Sequence, residues 1–211
     1  MSPTICCIDG KEKAEISAKT VVSTMELITY QVKETAVSIP EQDIESMLTL
    51  LMLCKENGKC VFVAGAGRSG LMGRAFAMRL MHLGFKAYVV GETVTPAIRK
   101  MDVLIAISGS GSTKSIINIV EKCKEVGAFV ISLTSKEKSR LGDLSSINVV
   151  LPSKSNADTS DDEACSRSVK MLMGTGFEIS TLAFTDALVL HLASLIDVRE
   201  SEMKERHANT E

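Results

Sequence analysis

Five short apolar runs, repeated along the chain, constrain the fold more than any other feature. None of them alternates cleanly between polar and apolar residues, which is typical of strands covered on both faces. Helical patterns separate most of them, and this strand–helix–strand repeat predicts a parallel sheet with right-handed crossovers. We therefore predict an α/β fold, a doubly wound five-stranded parallel sheet with helices on both faces. The runs are CVFVA (60–64), AYVV (87–90), VLIAI (103–107), FVISL (129–133) and INVVL (147–151).

The remaining patterns divide the chain into three predicted parts. Two N-terminal helices, at 14–39 and 41–57, place residues 1–57 in a helical extension that packs on the core. Residues 58–197 form the α/β domain, and residues 198–211 form a polar tail. The other predicted segments are helices at 71–83, 113–126, 139–144 and 180–196. Residues 152–163 are predicted as a solvated connection, with a mobile lid as the alternative.

Charge and composition argue against several classes of partner. The net charge of −2 gives no general attraction to nucleic acid or anionic lipid, so we expect neither as a partner. The sequence starts without a secretory signal, and we find no apolar segment of the ~20 residues that a bilayer span requires. These features predict a cytoplasmic protein. The six cysteines include no C-x-x-C pair and the three histidines no H-x-x-x-H, so we expect reduced thiols and no metal site.

The first glycine-rich loop, GAGRSG at 65–70, follows the first apolar run. It matches G-x-G-x-x-G, which is typical of a dinucleotide pyrophosphate bound at the start of a helix. Glu92, 22 residues beyond Gly70, could bind the ribose of a nicotinamide cofactor. The spacing alone leaves both a dinucleotide and a smaller phosphate open.

A second loop, SGSGST at 108–113, follows the third run and leads directly into a helix. Its glycines let backbone N–H groups converge, its hydroxyls add donors, and the helix start favours an anion. Two hydroxyl-bearing loops at neighbouring strand ends favour one phosphate monoester, since a dinucleotide leaves the hydroxyl cluster unused. The alternative is a pair of tight turns whose serines only cap helices. The predicted phosphate ligands are Gly67, Ser69, Ser108, Gly109, Ser110 and Thr113.

These two loops resemble those of the sugar isomerase (SIS) family, whose members bind phosphosugars with serine- and threonine-rich loops. Residues 65–98 and LIAISGSGST closely resemble the 6-phospho-3-hexuloisomerases of the ribulose monophosphate pathway, as do MGTGFE (173–178) and KERHANTE (204–211). There are departures from the family pattern. Ser112 stands where SGSGET has glutamate, Gly176 where P-L-G-T-L-F-E has its second leucine, and Thr210 where RHANLE has leucine.

The resemblance implies an isomerase that interconverts D-arabino-3-hexulose 6-phosphate and fructose 6-phosphate through an enediol, without metal or cofactor. It implies Glu178 as the base that moves the proton between the two carbons. His207 would polarise the carbonyl, reaching the active site of a neighbouring subunit. We therefore expect a homo-oligomer, favouring a tetramer, with a shared site. Arg68, Thr95 and His82 are possible substrate contacts, with His82 more typical of a packed helix residue at an interface.

Three alternatives stay open from the sequence. A phosphosugar-sensing regulatory module would use the same cradle without catalysis, although residues 1–57 contain no basic recognition helix. A nicotinamide-dependent oxidoreductase would use GAGRSG and Glu92. Another aldose–ketose isomerase of the same fold would act on a pentose or heptose phosphate.

Overall fold

The computed structural model describes residues 18–153 and 174–210, so most of the predicted connection at 152–163 lies outside the described residues. In the described residues five strands form one sheet. All strand pairs are parallel, and the order across the sheet is β2-β1-β3-β4-β5. The predicted α/β fold is confirmed, and each predicted run overlaps a strand. The strands are β1 (Cys60–Gly65), β2 (Lys86–Val89), β3 (Val103–Ile107), β4 (Phe129–Thr134) and β5 (Ile147–Val150).

Seven helices lie within the described residues. The helix predicted at 180–196 begins earlier, at Thr175, because Gly174 provides a left-handed start (φ 86°) that the sequence pattern reads as loop. The helix predicted at 71–83 also begins earlier, at Arg68, and the tail contains a short helix that the sequence did not predict. The helices are α1 (Ala18–Ser38), α2 (Glu41–Glu56), α3 (Arg68–His82), α4 (Lys114–Val126), α5 (Arg140–Leu144), α6 (Thr175–Leu195) and α7 (Glu200–Glu205).

The sheet separates two cores because successive strand residues point to opposite faces. Val61 and Val63 of β1 lie in the core that α2, α3 and α6 cover, while Phe62 and Ala64 lie in the core covered by α4 and α5. All five residues of β3 are buried. This two-sided burial explains why the apolar runs do not alternate with polar residues.

The last long helix corrects one expectation from the sequence. Among the described helices, α6 is long and apolar enough to cross a bilayer by length and composition, so the prediction that no segment reaches this length is wrong. Within the fold, however, α6 packs against α1 and α3 and contributes Leu188, Val189 and Leu192 to the core. A core helix of this kind satisfies the same criteria.

The two N-terminal helices join the domain differently. Helix α2 contacts β1 and β5 and buries Met47, Leu51 and Cys54 in the core. Helix α1 packs mainly on α6, and buried polar groups attach it, since the Thr35 hydroxyl donates to the Pro152 carbonyl at 2.8 Å. Most of the apolar residues of α1 face outward.

Candidate functional site

A cavity of about 450 Å³ lies at the carboxyl ends of the strands, where open parallel sheets bind ligands. Gly65 at the end of β1 pairs with Ile107 at the end of β3, so the two predicted loops begin side by side. Five of the six predicted phosphate ligands line this cavity, and Glu178 lines it as well. The lining residues are Ala66, Ser69, Ile107, Ser108, Gly109, Ser110, Thr113, Ser135, Lys136, Ser153, Gly174, Phe177 and Glu178.

The first loop turns within very little space. A Cβ on Gly65 would lie 2.8 Å from the Gly70 nitrogen, and one on Gly70 would lie 2.7 Å from the Gly65 carbonyl oxygen. Both positions therefore need glycine. This close approach starts α3 directly behind β1 and places Ser69 in the cavity. Gly67, the sixth predicted ligand, precedes α3 with φ 58° and is not part of the cavity lining.

Hydroxyl groups dominate the second loop. The buried Ser108 places its Oγ 2.9 Å from the Thr113 Oγ1, and Ser110 Oγ accepts from the Ser112 hydroxyl at 3.1 Å. The helix-capping alternative fails at both loops: Thr113 precedes α4 without a side-chain capping bond, and α3 follows Gly67 rather than Ser69. The hydroxyls of Ser69, Ser108 and Thr113 therefore lie at the cavity without serving as helix caps.

A third loop, after β4, was missed by the sequence analysis. Ser135 donates to the Gly109 carbonyl through both its backbone nitrogen, at 3.0 Å, and its hydroxyl, at 2.7 Å. Lys136 follows it and also lines the cavity. The signal was present, because hydroxyl residues follow an apolar run here just as they do in SGSGST. Without glycines, the Thr-Ser-Lys sequence does not look like a phosphate loop.

Glu178 lies in the first turn of α6 with only 8% of its surface exposed. Arg68 Nε lies 2.9 Å from Glu178 Oε2, but the N–H is not aligned for a hydrogen bond, so the contact is an ion pair. Among the described residues, Oε2 has no hydrogen-bond donor. The carboxylate bends back over Gly174, where a Cβ would lie 3.0 Å from Oε1. An under-bonded buried carboxylate beside a cavity suits a proton-transfer role.

The possible substrate contacts are placed unequally. Arg68 lies beside the cavity through its pairing with Glu178. The Thr95 hydroxyl donates to the Val89 carbonyl at 2.5 Å, at the same edge of the sheet but not in the cavity lining. His82 ends α3, about 20 Å from Arg68 at ~1.5 Å per residue. In this chain His82 therefore does not contact a ligand in the cavity that Glu178 lines.

His207 lies with His82, at the far end of α3. The two rings stack with centroids 5.2 Å apart, and Arg206 Nη1 donates to the His82 carbonyl at 2.9 Å. Burial, then the nearby His207 and Arg79, lower the pKa of His82 below its ordinary value. The tail of one chain thus does not bring His207 to its own Glu178. A role for His207 in a neighbouring subunit stays a prediction.

Other features bear on the alternatives. Glu92, which the dinucleotide alternative assigns to a ribose, is paired with Arg74 at 2.6 Å. Residues 18–153 and 174–210 contain no group of three or more His, Cys, Asp or Glu side chains that could hold a metal ion. A second cavity of about 350 Å³, between α1, α2 and α6, has mainly aliphatic walls and lacks the donor set that a phosphate requires.

Fold and cavity together define an α/β protein in which hydroxyl-bearing loops and the start of a helix line a cavity at the edge of the sheet. The chain belongs to the SIS domain family, whose model matches residues 52–195. The resemblance inferred from GAGRSG and SGSGST is thereby confirmed.

Individual relatives extend this result beyond the family match. The chain is 41% identical over 190 residues to an uncharacterized protein of Methanothermobacter thermautotrophicus, covering 88% of this chain and 94% of the relative. It is 42% identical over 150 residues to the 3-hexulose-6-phosphate isomerase of Methylomonas aminofaciens, covering 71% and 80%. A crystal structure of a Methanococcus jannaschii protein, from which a 3-hexulose-6-phosphate isomerase function was inferred, matches with a TM-score of 0.75 and 30% identity, covering 90% and 99%.

Proposed function

We propose that the chain is a sugar-phosphate isomerase that interconverts D-arabino-3-hexulose 6-phosphate and fructose 6-phosphate. One observation carries the proposal: the buried carboxylate of Glu178 lines the same cavity as the hydroxyl-rich loops. A binding module needs only the loops, whereas an isomerase also needs a base at a fixed distance from them. Relatives named 3-hexulose-6-phosphate isomerase support the choice of substrate.

In the proposed complex, the substrate phosphate occupies the loops after β1 and β3. Backbone N–H groups of residues 108–113, the nearby hydroxyls and the N-terminus of α4 supply donors to the phosphate oxygens. The sugar extends from there toward Glu178. Binding energy from this unreacting phosphate holds the carbons that exchange the proton near the carboxylate.

In the proposed chemical step, Glu178 removes the proton from C2 of the 3-ketose. The C2–H electron pair forms the C2–C3 double bond of an enediol while O3 takes a proton from a general acid. O2 then gives its proton back to that group as the C2 carbonyl forms, and Glu178 returns its proton to C3. Atoms and charge balance without an external oxidant. Arg68, which pairs with Glu178, contacts the sugar beside that carboxylate in the proposed complex.

The proton donor to the substrate oxygen is proposed to be His207 of a neighbouring subunit. His207 stacks on His82 at the C-terminal end of α3, too far from the Glu178 of its own chain to act there. Exposed apolar side chains on three helices support a homo-oligomer, since such surfaces mark contact sites. We propose a tetramer with shared sites in the cytoplasm. These side chains are Val21, Val22, Met25 and Val37 of α1, Leu71, Met78 and Met81 of α3, and Leu190 and Leu195 of α6.

The test is direct assay of the purified full chain on fructose 6-phosphate in the presence of EDTA and without nucleotide. We expect the 3-ketose to form, detected by NMR of the equilibrating mixture. Conversion of a pentose or heptose phosphate instead would identify a different isomerase. Calorimetric binding of fructose 6-phosphate without turnover would favour the sensing module and reject the proposed reaction.

A further inference from the structure

Lys136 is the one basic residue among the described residues that line the cavity. It lies in the loop after β4, on the side of the cavity formed by the phosphate loop 108–113. The proposed proton transfer does not involve Lys136. The phosphate donors there are backbone N–H and hydroxyl groups, which are neutral, and the other nearby cation, Arg68, is paired with Glu178.

The backbone of Lys136 is held firmly against the phosphate loop. The buried Thr134 donates its hydroxyl to the Lys136 carbonyl at 2.9 Å. The adjacent Ser135 bonds twice to the Gly109 carbonyl, and the Leu141 nitrogen donates to the Gly111 carbonyl at 2.9 Å. The lysine side chain therefore starts from a fixed point at the mouth of the cavity.

A lysine at this position can compensate the negative charge of a bound phosphate. A phosphate monoester carries about −1.5 to −2 charges at pH 7. Neutral donors orient such an anion but do not compensate its charge, whereas a lysine ammonium acts as a point charge toward any of its oxygens. The chain as a whole has a net charge of −2 and supplies no general attraction for an anion.

We propose that Lys136 is the counter-ion of the bound phosphate and sets the preference of the site for a dianionic ligand. The inference rests on the proposed function in that it assigns the phosphate to these loops. It adds a third loop, after β4, to the two predicted from the sequence. It also assigns Lys136 to ground-state binding rather than to proton transfer, because the loop of Lys136 is hydrogen-bonded to the phosphate loop through Ser135 and Gly109.

The experiment compares Lys136→Met with Lys138→Met, which removes the same charge from the same loop at an exposed position outside the cavity lining. KM and kcat for fructose 6-phosphate and the Kd of inorganic phosphate by calorimetry are measured for both and for Lys136→Arg. We expect Lys136→Met to raise both KM and Kd about tenfold and leave kcat within about twofold. Lys138→Met should change each by less than about twofold, and Lys136→Arg should recover most of the affinity.

Unchanged phosphate affinity in Lys136→Met, or an equal loss in Lys138→Met, would overturn the assignment. A loss of kcat with unchanged KM would do so as well, because it would place the lysine at the reacting carbons. The two proposals fail separately. A wild-type chain that turns over no sugar phosphate, yet binds inorganic phosphate through Lys136, would reject the isomerase and keep the counter-ion. A wild-type chain that turns over fructose 6-phosphate, with unchanged KM and phosphate Kd in Lys136→Met, would keep the isomerase and reject the counter-ion.

Discussion

The two ends of α3 carry opposite chemistry. At its N-terminal end, Arg68 and Ser69 border an open cavity rich in donors, and this end of a helix favours anions. At its C-terminal end the last carbonyls accept from cations: Arg206 donates to His82, and Lys55 donates to Leu83. One helix thus separates a cavity lined by hydroxyl groups from a cluster of cationic and imidazole groups. A reaction that needs both ends therefore needs two chains.

The largest effect should come from Glu178→Gln, which removes the proposed base while keeping the shape of its side chain. We expect kcat to fall by about 10³-fold with KM nearly unchanged, since general-base catalysis contributes about 10²–10⁴-fold. Steady-state kinetics on fructose 6-phosphate provides the measurement. The matched control is Asp186→Asn, further along α6 at a partly exposed pairing with Arg79. Full activity in Glu178→Gln would contradict the assignment of the catalytic base to the cavity at the N-terminal end of α3.

The next effect tests whether the far end of α3 serves another chain. A chain truncated after Met203 lacks Arg206 and His207, and we expect its activity to fall by about 10²-fold through loss of a proton donor. Mixing it with inactive full-length Glu178→Gln should restore part of the activity, because one chain then supplies the carboxylate and the other the histidine. His207→Ala should show the same complementation without loss of the Arg206 contact. Failure of both mixtures to recover would confine the histidine to a structural role.

A smaller effect is expected from removing two phosphate donors with Ser108→Ala and Ser110→Ala. One hydrogen bond to a charged group contributes about 1.5–3 kcal/mol, so KM should rise roughly 10- to 150-fold in each variant alone while kcat changes little. The control is Ser112→Ala, whose hydroxyl donates to Ser110 but does not line the cavity. A KM equal to that of the wild type would contradict the assignment of this loop. Because Ser108 is buried, a thermal melt should accompany the kinetics.

Much of this arrangement follows from short-range signals in the sequence. The runs from CVFVA to INVVL predicted the strands to within about a residue, because burial on both faces needs unbroken apolar sequence. The loops GAGRSG and SGSGST were predicted because glycine and serine residues directly after a strand are typical of phosphate-binding loops. Ser135 and Lys136 were missed because their loop lacks glycine.

Contacts between residues that are distant in the sequence could not be predicted from such local patterns. Arg68 and Glu178 come from distant parts of the sequence, and no local pattern indicates their 2.9 Å contact. The stacking of His82 on His207 is of the same kind, since it depends on where the tail returns to the domain. Sequence patterns predicted these residues as candidates, but only the packing of α3 against α6 and α7 shows which of them meet.

The smallest expected effect concerns stability and pH at the His82 end. The pKa of His82 is lowered by burial, so the folded chain binds fewer protons than the unfolded chain as pH falls below the ordinary value of 6.5. The contribution to stability is complete above about pH 6.5 and is lost as pH falls through the lowered pKa. Urea denaturation should show a larger drop in stability between pH 7.5 and 5.5 for the wild type than for His82→Gln. His191→Gln, at an exposed position on α6, should keep the drop of the wild type. An equal drop in His82→Gln would mean that this imidazole is free to take up a proton in the folded chain, which its burial beside His207 and Arg79 opposes.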